Sequence, residues 1–312
     1  MGDKFIDKCL FLWLNDKEFH ALEAKKRGAN IAQVYKNVPK VFKFFRRIQI
    51  ELNLPYIKPW LSSWKDFISD YEVIILHASK ITPPVARYIR KKYPDKRIII
   101  WYWNPMKKSV NVDKFIKCDC EIWTFDEVDR DRYLFNYNTQ YYFSDVEVNS
   151  MESNGIDIFF VGKDKGRIKQ LVELKNKFDF YELESKFHIT PVRKKAKGYE
   201  KWYKNRMPYN EVLQYIEKSK AILDYVSDNQ SGLTLRPLEA LFFRKKLITN
   251  DITIRNRDFY KKENIFILGK DDINDLVEFL NNDYVKIDQE ILDRYEFINW
   301  IERFNNKREM EE

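Results

Sequence analysis

Apolar runs in this chain are short, regularly spaced and separated by polar turns. Glu72-Val73-Ile74-Ile75-Leu76-His77 is almost continuously apolar, the pattern of a strand buried on both faces of a parallel sheet. Lys8 to Leu14 reads as an earlier strand. Arg97 to Trp103, ending at Asn104-Pro105, and Glu121 to Phe125 read as later ones. Between them Thr82-Pro83-Pro84 opens a helix that runs through Val85 to Lys92, because proline is tolerated in a first turn. A second series starts near residue 155. Ile156 to Val161 predicts a strand, 162–167 a polar turn, and Ile168 to Phe178 an amphipathic helix. Strands follow at Phe187 to Val192, Lys220 to Tyr225 and Asn264 to Leu268, with a short apolar strand after Lys245-Lys246. Helices are expected at Tyr209 to Ser219, capped by Asn210, at Asp271 to Asn281 and at Ile291 to Phe304.

This alternation predicts an α/β chain of two Rossmann-like βαβ domains. The first is expected over residues 1–150 and the second over 151–290, with 291–312 as a closing helical segment. Tyr142 to Gly155, polar and weakly patterned, is the expected linker. Open α/β sheets bind ligands beyond the carboxyl ends of their strands, where the strand order reverses. Two candidate phosphate loops, after Val161 and after Tyr225, follow strands in this way.

Composition narrows the chemistry. Of 312 residues, 44% are hydrophobic, enough for real cores, and 8 glycines argue against a linker-rich chain. A formal charge of +8 favours anionic partners, which include nucleotides, an anionic membrane face and nucleic acid; solubility alone is the competing account. Cys9, Cys118 and Cys120 cannot build a disulfide framework, and Cys118-Asp119-Cys120 lacks the spacing of a zinc site. Asp7 and Lys8 interrupt the N-terminal apolar residues, so no signal peptide is read, and no run approaches the ~20 residues that span a bilayer. The expected location is cytoplasmic.

The densest candidate chemistry lies in Ser231-Gly232-Leu233-Thr234-Leu235-Arg236-Pro237-Leu238-Glu239-Ala240. A loop of small residues opening a helix offers free N–H groups and the positive end of the helix dipole, which suits a diphosphate. Arg236 adds a bidentate phosphate donor, and Glu239 lies one turn deeper on the same face. A salt bridge inside an ordinary αβ unit is the competing account. Lys36 to Ile48 mixes five basic residues with three phenylalanines. It reads either as a dock for an anionic bilayer surface, which would make the chain a peripheral membrane protein, or as a core-facing helix with a basic rim.

Three stretches together carry a family resemblance: Phe160-Val161-Gly162-Lys163-Asp164-Lys165-Gly166-Arg167, the motif from Ser231 to Ala240, and Asn264-Ile265-Phe266-Ile267-Leu268-Gly269. They resemble the C-terminal domain of GT-B fold glycosyltransferases, in particular bacterial enzymes that build surface polysaccharides such as capsule or O-antigen. Trp101-Tyr102-Trp103-Asn104-Pro105 and Trp123-Thr124-Phe125-Asp126 look like segments of the N-terminal domain of that group. The resemblance implies two domains facing a central cleft, with the last helix crossing back to the first. It implies transfer of a sugar from a nucleotide-diphosphate donor to a lipid-linked or glycan acceptor, with no essential metal or other cofactor. Gly162 and Gly166 would let backbone approach the phosphates, and Lys163 and Arg167 would neutralise them. Ser231, Gly232, Leu233 and Thr234 would hold the diphosphate. Arg236 would offset charge on the departing nucleotide. Glu239 would bind ribose, and Trp103 and Asn104 would lie on the acceptor side.

One position departs from the family. Many retaining members carry two glutamates with seven residues between them; Glu239 would be the second, but the first position is Ser231. An inverting enzyme needs a general base near the acceptor. Asp126 and then His77, both at strand ends, are the candidates, with His20 behind them. Three rival readings remain. Asp129-Arg130-Asp131 has the spelling of the metal-binding triplet of GT-A glycosyltransferases. The excess of Lys and Arg also suits a non-enzymatic nucleic-acid-binding protein, but no nucleic-acid-binding motif accompanies it, so no nucleic-acid partner is expected. The third is a catalytically dead homologue that binds a glycan or a nucleotide.

Overall fold

The computed structural model describes residues 4–148, 155–227 and 232–305. These form two compact units. The first takes the described residues of 1–140, 232–233 and 297–305, and the second those of 141–227 and 234–296.

The first unit is built on six strands: β1 (Cys9–Trp13), β2 (Asn30–Gln33), β3 (Val73–His77), β4 (Arg97–Tyr102), β5 (Glu121–Thr124) and β6 (Asn136–Tyr137). All pairings are parallel, in the order β2-β1-β3-β4-β5-β6. Helices α1 (Phe19–Lys26), α2 (Lys40–Glu51), α3 (Trp64–Phe67), α4 (Pro83–Lys92) and α5 (Glu127–Tyr133) connect them. The central strands are the apolar runs of the sequence, because a parallel sheet covered on both faces leaves no polar side. Leu10, Leu12, Ile74, Leu76, Ile98 and Ile100 pack on one face against Val85, Ala86 and Ile89 of α4 and against Trp64.

The second unit has five parallel strands: β7 (Ile156–Lys163), β8 (Ser185–Thr190), β9 (Ser219–Asp224), β10 (Lys246–Thr249) and β11 (Ile265–Ile267), in the order β11-β10-β9-β7-β8. Its helices are α6 (Ile168–Phe180), α7 (Tyr209–Lys218), α8 (Leu235–Phe242), α9 (Leu276–Asn281) and α10 (Gln289–Tyr295). The strand order reverses between β1 and β3 in the first unit and between β7 and β9 in the second. Those reversals mark where each sheet can take a ligand.

Several boundaries differ from the sequence reading. The strand expected at Phe187 to Val192 starts two residues earlier, at Ser185, and ends before Pro191, which has no N–H for a ladder. Pro208, not Asn210, occupies the N-cap of α7. The linker expected from Tyr142 begins in a core: Tyr141, Tyr142 and Phe143 are almost completely buried. The units therefore divide after Gln140 rather than near 150. Residues 149–154 of that linker lie outside the described residues.

The single helix expected from Ile291 to Phe304 is two, α10 and α11 (Phe297–Glu302), broken at Glu296. The break has a local cause. Tyr142 N–H donates to Tyr295 O at 2.8 Å, and Ser144 donates to Glu296 Oε2 from its N–H (2.8 Å) and its hydroxyl (2.7 Å). These bonds hold Glu296 extended, at φ −70° and ψ 138°. The chain after it then covers the other face of the first sheet. Trp300 packs against Phe11, Trp101, Phe297 and Phe304 at ring distances of 4.8–6.2 Å, and its indole N–H donates to Thr139 O at 2.9 Å.

Trp300 has no exposed surface. Trp300→Ala is expected to cost about 3–5 kcal/mol in urea denaturation, because the cavity it leaves lies inside the aromatic layer. A loss below ~1 kcal/mol would mean that α11 is not part of this core.

Candidate functional site

The second unit encloses a cavity of about 750 Å³ at the carboxyl ends of β7 and β8. Val161, Gly162 and Lys163 line it from β7, Thr190 and Pro191 from the end of β8, and Tyr209 and Val212 from α7; Arg236 closes it from α8. Among the described residues Lys163, Lys195, Lys204, Arg206 and Arg236 give the lining five cations, and it includes no carboxylate. Crowded cations of one sign around a concave site attract an anion.

Arg236 is fixed from behind. Its guanidinium is paired with Glu239 Oε2 one turn along α8. Glu239 has no exposed surface. Its other oxygen accepts from the Tyr209 hydroxyl at 2.5 Å, and the Tyr209 oxygen lies 3.0 Å from the Tyr142 hydroxyl. Since Tyr209 gives its proton to the carboxylate, Tyr142 is the donor in that second bond. Burial pushes the Glu239 carboxyl up, opposed by Arg236 and by Tyr209. Burial likewise works against the Arg236 charge, and the facing Glu239 charge more than restores it.

Around this pair the motif is built as its residue types require. The Thr234 hydroxyl, just before α8, donates to Asp224 Oδ2 at 2.6 Å, which ties the helix start to the end of β9. Burial pushes the Asp224 carboxyl up, against the Thr234 hydrogen bond and the charges of Arg236 and Arg167. Gly232 has φ +76°, a conformation that side-chain-bearing residues rarely adopt. After β7, Lys165 at φ +49° and Gly166 at φ +84° make the turn into α6. The Tyr203 hydroxyl donates to Asp164 Oδ2 at 2.7 Å beneath that turn.

The expected donor residues thus separate. Gly162, Lys163 and Arg236 meet at the cavity. Gly166, Thr234 and Glu239 lie outside its lining. Arg167 does not face it either: the guanidinium folds over the Phe160 ring, 5.5 Å from its centroid, and donates to Lys163 O at 3.1 Å. Glu239 is not open to a ribose, since both its oxygens are engaged by Arg236 and Tyr209. Gly232 and Leu233 group with the first unit, and Ser231 lies outside the described residues. Lys195, Lys204 and Arg206, in the connection from β8 to α7, escaped the sequence reading. Their only signal was the basic run of 193–206, which no motif frames.

The first unit's reversal point carries aromatic side chains. Trp13, at the end of β1, and His77, at the end of β3, meet edge to face at 4.5 Å between ring centroids. Trp103 sits 5.6 Å from His77 and 5.3 Å from His20. Asn104 is exposed. His77 is not suited to be a base: its Nε2 is inaccessible and has no hydrogen-bond partner, and burial, with the nearby His20, pushes its pKa down to about 3. Asp126 is fully buried and caps α5, accepting from Asp129 N–H at 3.1 Å through Oδ1. The triplet Asp129-Arg130-Asp131 is helical and split. Asp129 accepts from Met106 N–H at 2.6 Å, and exposed Asp131 pairs with Arg130 at 2.7 Å. Together with two parallel sheets, this removes the GT-A reading.

Over 95% of its length the chain matches 92% of an alpha-glucosyltransferase, solved in complex with UDP-glucose and DNA containing an abasic site, with a TM-score of 0.50 and 13% identity. It matches a putative UDP-N-acetylglucosamine 2-epimerase from Listeria monocytogenes over 96% of this chain and 95% of that one, with a TM-score of 0.50 and 8% identity. The fold is GT-B. A lipopolysaccharide outer core galactosyltransferase WaaB, in apo form, aligns over 95% of this chain and 88% of that one, at 19% identity and a TM-score of 0.46. No family model matches the chain, and no curated protein matches it. At these identities the GT-B likeness is one of fold, and the reaction must be argued from the site.

His77 sets a pH dependence. Its folded pKa of about 3 lies below the ordinary histidine value near 6.5, so between these values the unfolded chain binds the extra proton. Stability should fall as pH drops through that window, by at most about 1.4 kcal/mol per pH unit from this residue. His77→Phe, which keeps a ring among Phe11, Trp13 and Trp103, should flatten the slope of denaturation free energy between pH 6.5 and 4. An unchanged slope would show that His77 titrates normally.

Proposed function

We propose that this chain is a glycosyltransferase that takes its sugar from a nucleotide-diphosphate donor held in the second unit. The observation that carries the reading is the cavity at the ends of β7 and β8, whose described lining holds five cations and no carboxylate, with Arg236 fixed beside it. The volume suits a ligand of that size. In the proposed reaction the carbon–oxygen bond between sugar and diphosphate breaks, an acceptor hydroxyl oxygen takes the sugar carbon, and its proton leaves to a base. Negative charge grows on the departing diphosphate, and Arg236 is the donor already aimed at it. Glu239 is the positioning residue for Arg236. The exposed Lys195, Lys204 and Arg206 would bind phosphate without being oriented in advance.

The acceptor is proposed to be a lipid-linked or glycan hydroxyl, in the synthesis of a bacterial surface polysaccharide. This rests on the resemblance of the motifs from Phe160 and from Ser231. One fold neighbour was solved with UDP-glucose and the other bears the name of a UDP-N-acetylglucosamine epimerase, so UDP and its sugars are the first donors to test. Acceptor-independent conversion of a UDP-sugar to its epimer, the chemistry the second neighbour is named for, would assign the chain to that chemistry instead.

Calorimetric titration with UDP, GDP and ADP should find one tight nucleotide. Arg206→Ala and Lys195→Ala, both at exposed positions, should leave stability within about 0.5 kcal/mol and weaken that nucleotide about tenfold each. Arg236→Ala should lower turnover by about 10²–10³, but it also strands a buried carboxylate, at about 3–5 kcal/mol of stability. The double variant Arg236→Met/Glu239→Gln removes both charges together and should fold while remaining inactive. Full nucleotide affinity and turnover in the folded double variant would reduce the motif to a structural αβ unit.

A further inference from the structure

Helix α2 is mounted inside out. Val41, Phe44, Phe45, Ile48 and Leu52 recur at the spacing of one helix face, the pattern that ordinarily faces a core. Here that face meets solvent. Val41, Phe42, Phe44 and Phe45 are between 52% and 63% exposed, and Ile50 is the one buried residue of the helix. The helix is attached by its other side. Arg46 stacks over the Tyr35 ring at 4.6 Å and donates to Lys36 O at 3.1 Å, and Gln49 accepts from the Trp60 indole N–H at 2.6 Å.

The loop that follows extends the apolar surface. Leu52 is 65%, Leu54 49% and Tyr56 85% exposed. Gln49 donates to Pro55 O at 2.5 Å, and Arg87 of α4 donates to Asn53 Oδ1, so the loop is tied down. Tyr56 is held at φ +65°, an unfavourable conformation for a bulky residue, with its ring in solvent. Large apolar side chains exposed together on one helix and the loop after it mark an interaction site.

We propose that α2 and the loop from Leu52 to Tyr56 form a docking surface for an anionic lipid membrane. Charge selects this occupant. Between residues 36 and 58 six basic residues accompany a single acid, Glu51, which is itself paired with Arg47 at 2.8 Å. A basic rim around exposed phenylalanines matches a bilayer whose surface is anionic and whose interior is apolar. A second copy of the chain would bring like charges together at the same rim. Among the described residues no helix is long and apolar enough to cross a membrane, so attachment by this surface is at the bilayer face. As the means of reaching a lipid-linked acceptor, the surface rests on the reading above; as a binding surface it is tested without donor or acceptor.

Vesicles of phosphatidylcholine alone, or with phosphatidylglycerol added, provide the test by cosedimentation at low and high salt. The protein should bind the phosphatidylglycerol vesicles, and release them as salt screens the charges. Phe44→Ser/Phe45→Ser and Lys40→Gln/Lys43→Gln/Arg47→Gln should each weaken binding by about tenfold or more. Both variants should keep wild-type thermal unfolding and nucleotide affinity, which separates failure here from failure of the donor site. Absence of binding by the wild type, or unchanged binding by either variant, overturns the proposal. A dimer in sedimentation equilibrium that the phenylalanine variant dissolves would assign the face to self-association.

Discussion

The buried ion pair between Arg236 and Glu239 is the constraint on which the second unit's site depends. A carboxylate with no exposed surface is tolerable only when its charge is opposed and its oxygens are hydrogen-bonded. Arg236 meets the first need and Tyr209 the second, and Tyr209 in turn takes a bond from Tyr142. That chain reaches from α8 to α7 and on to the segment that opens the unit. The same segment continues through Ser144 to Glu296, where it breaks the C-terminal helix in two. A single buried charge therefore organises three stretches far apart in sequence, and it leaves Arg236 at the cavity wall with its fork held.

The sheets explain why chemistry gathers where it does. In each unit the second strand pairs on one side of the first and the third strand on the other, so neighbouring connections diverge and open a crevice. At the first unit's reversal point Trp13 and His77 pack together, with Trp103 and His20 against them. In the second the connections after β7 and β8 supply lysines and arginines. The first reversal point is aromatic, and the cavity of the second unit is lined by cations.

Much of this was legible from patterning. The strands from Val73, Arg97, Glu121 and Ile156 announce themselves because parallel strands covered on both faces need unbroken apolar runs. Arg236 stood out because an arginine after a small-residue loop suits a phosphate, and the structure puts it at the cavity wall. Three things were hidden. Tyr142 belongs to a weakly patterned stretch, and its burial comes from long-range contacts with Tyr295, Tyr209 and Phe242. The cavity cations from 195 to 206 sit in a connection without periodicity, and only the fold of β8 and α7 brings them to Arg236. The segment from Lys36 to Ile48 left two readings open, a bilayer dock and a core-facing helix, because periodicity tells which residues share a face and not whether that face meets core or solvent.

Exposure also divides the labour among the cavity cations. Lys195, Lys204 and Arg206 are solvent-exposed, so each keeps its rotamer freedom and its hydration until a ligand arrives. Such groups raise the local concentration of an anion, but they must reorganise to hold it. Arg236 differs because its orientation is settled before binding by Glu239 and Tyr209. A donor that need not move as charge develops stabilises a transition state more than one that must be collected from solvent. In the proposed enzyme Glu239 would be the source of that preorganisation. It follows that a variant could retain every charge lining the cavity and still lose rate, if it loosened the carboxylate behind Arg236. In the proposed enzyme Tyr209 is the residue through which this would happen, since it holds the Glu239 oxygen that Arg236 does not.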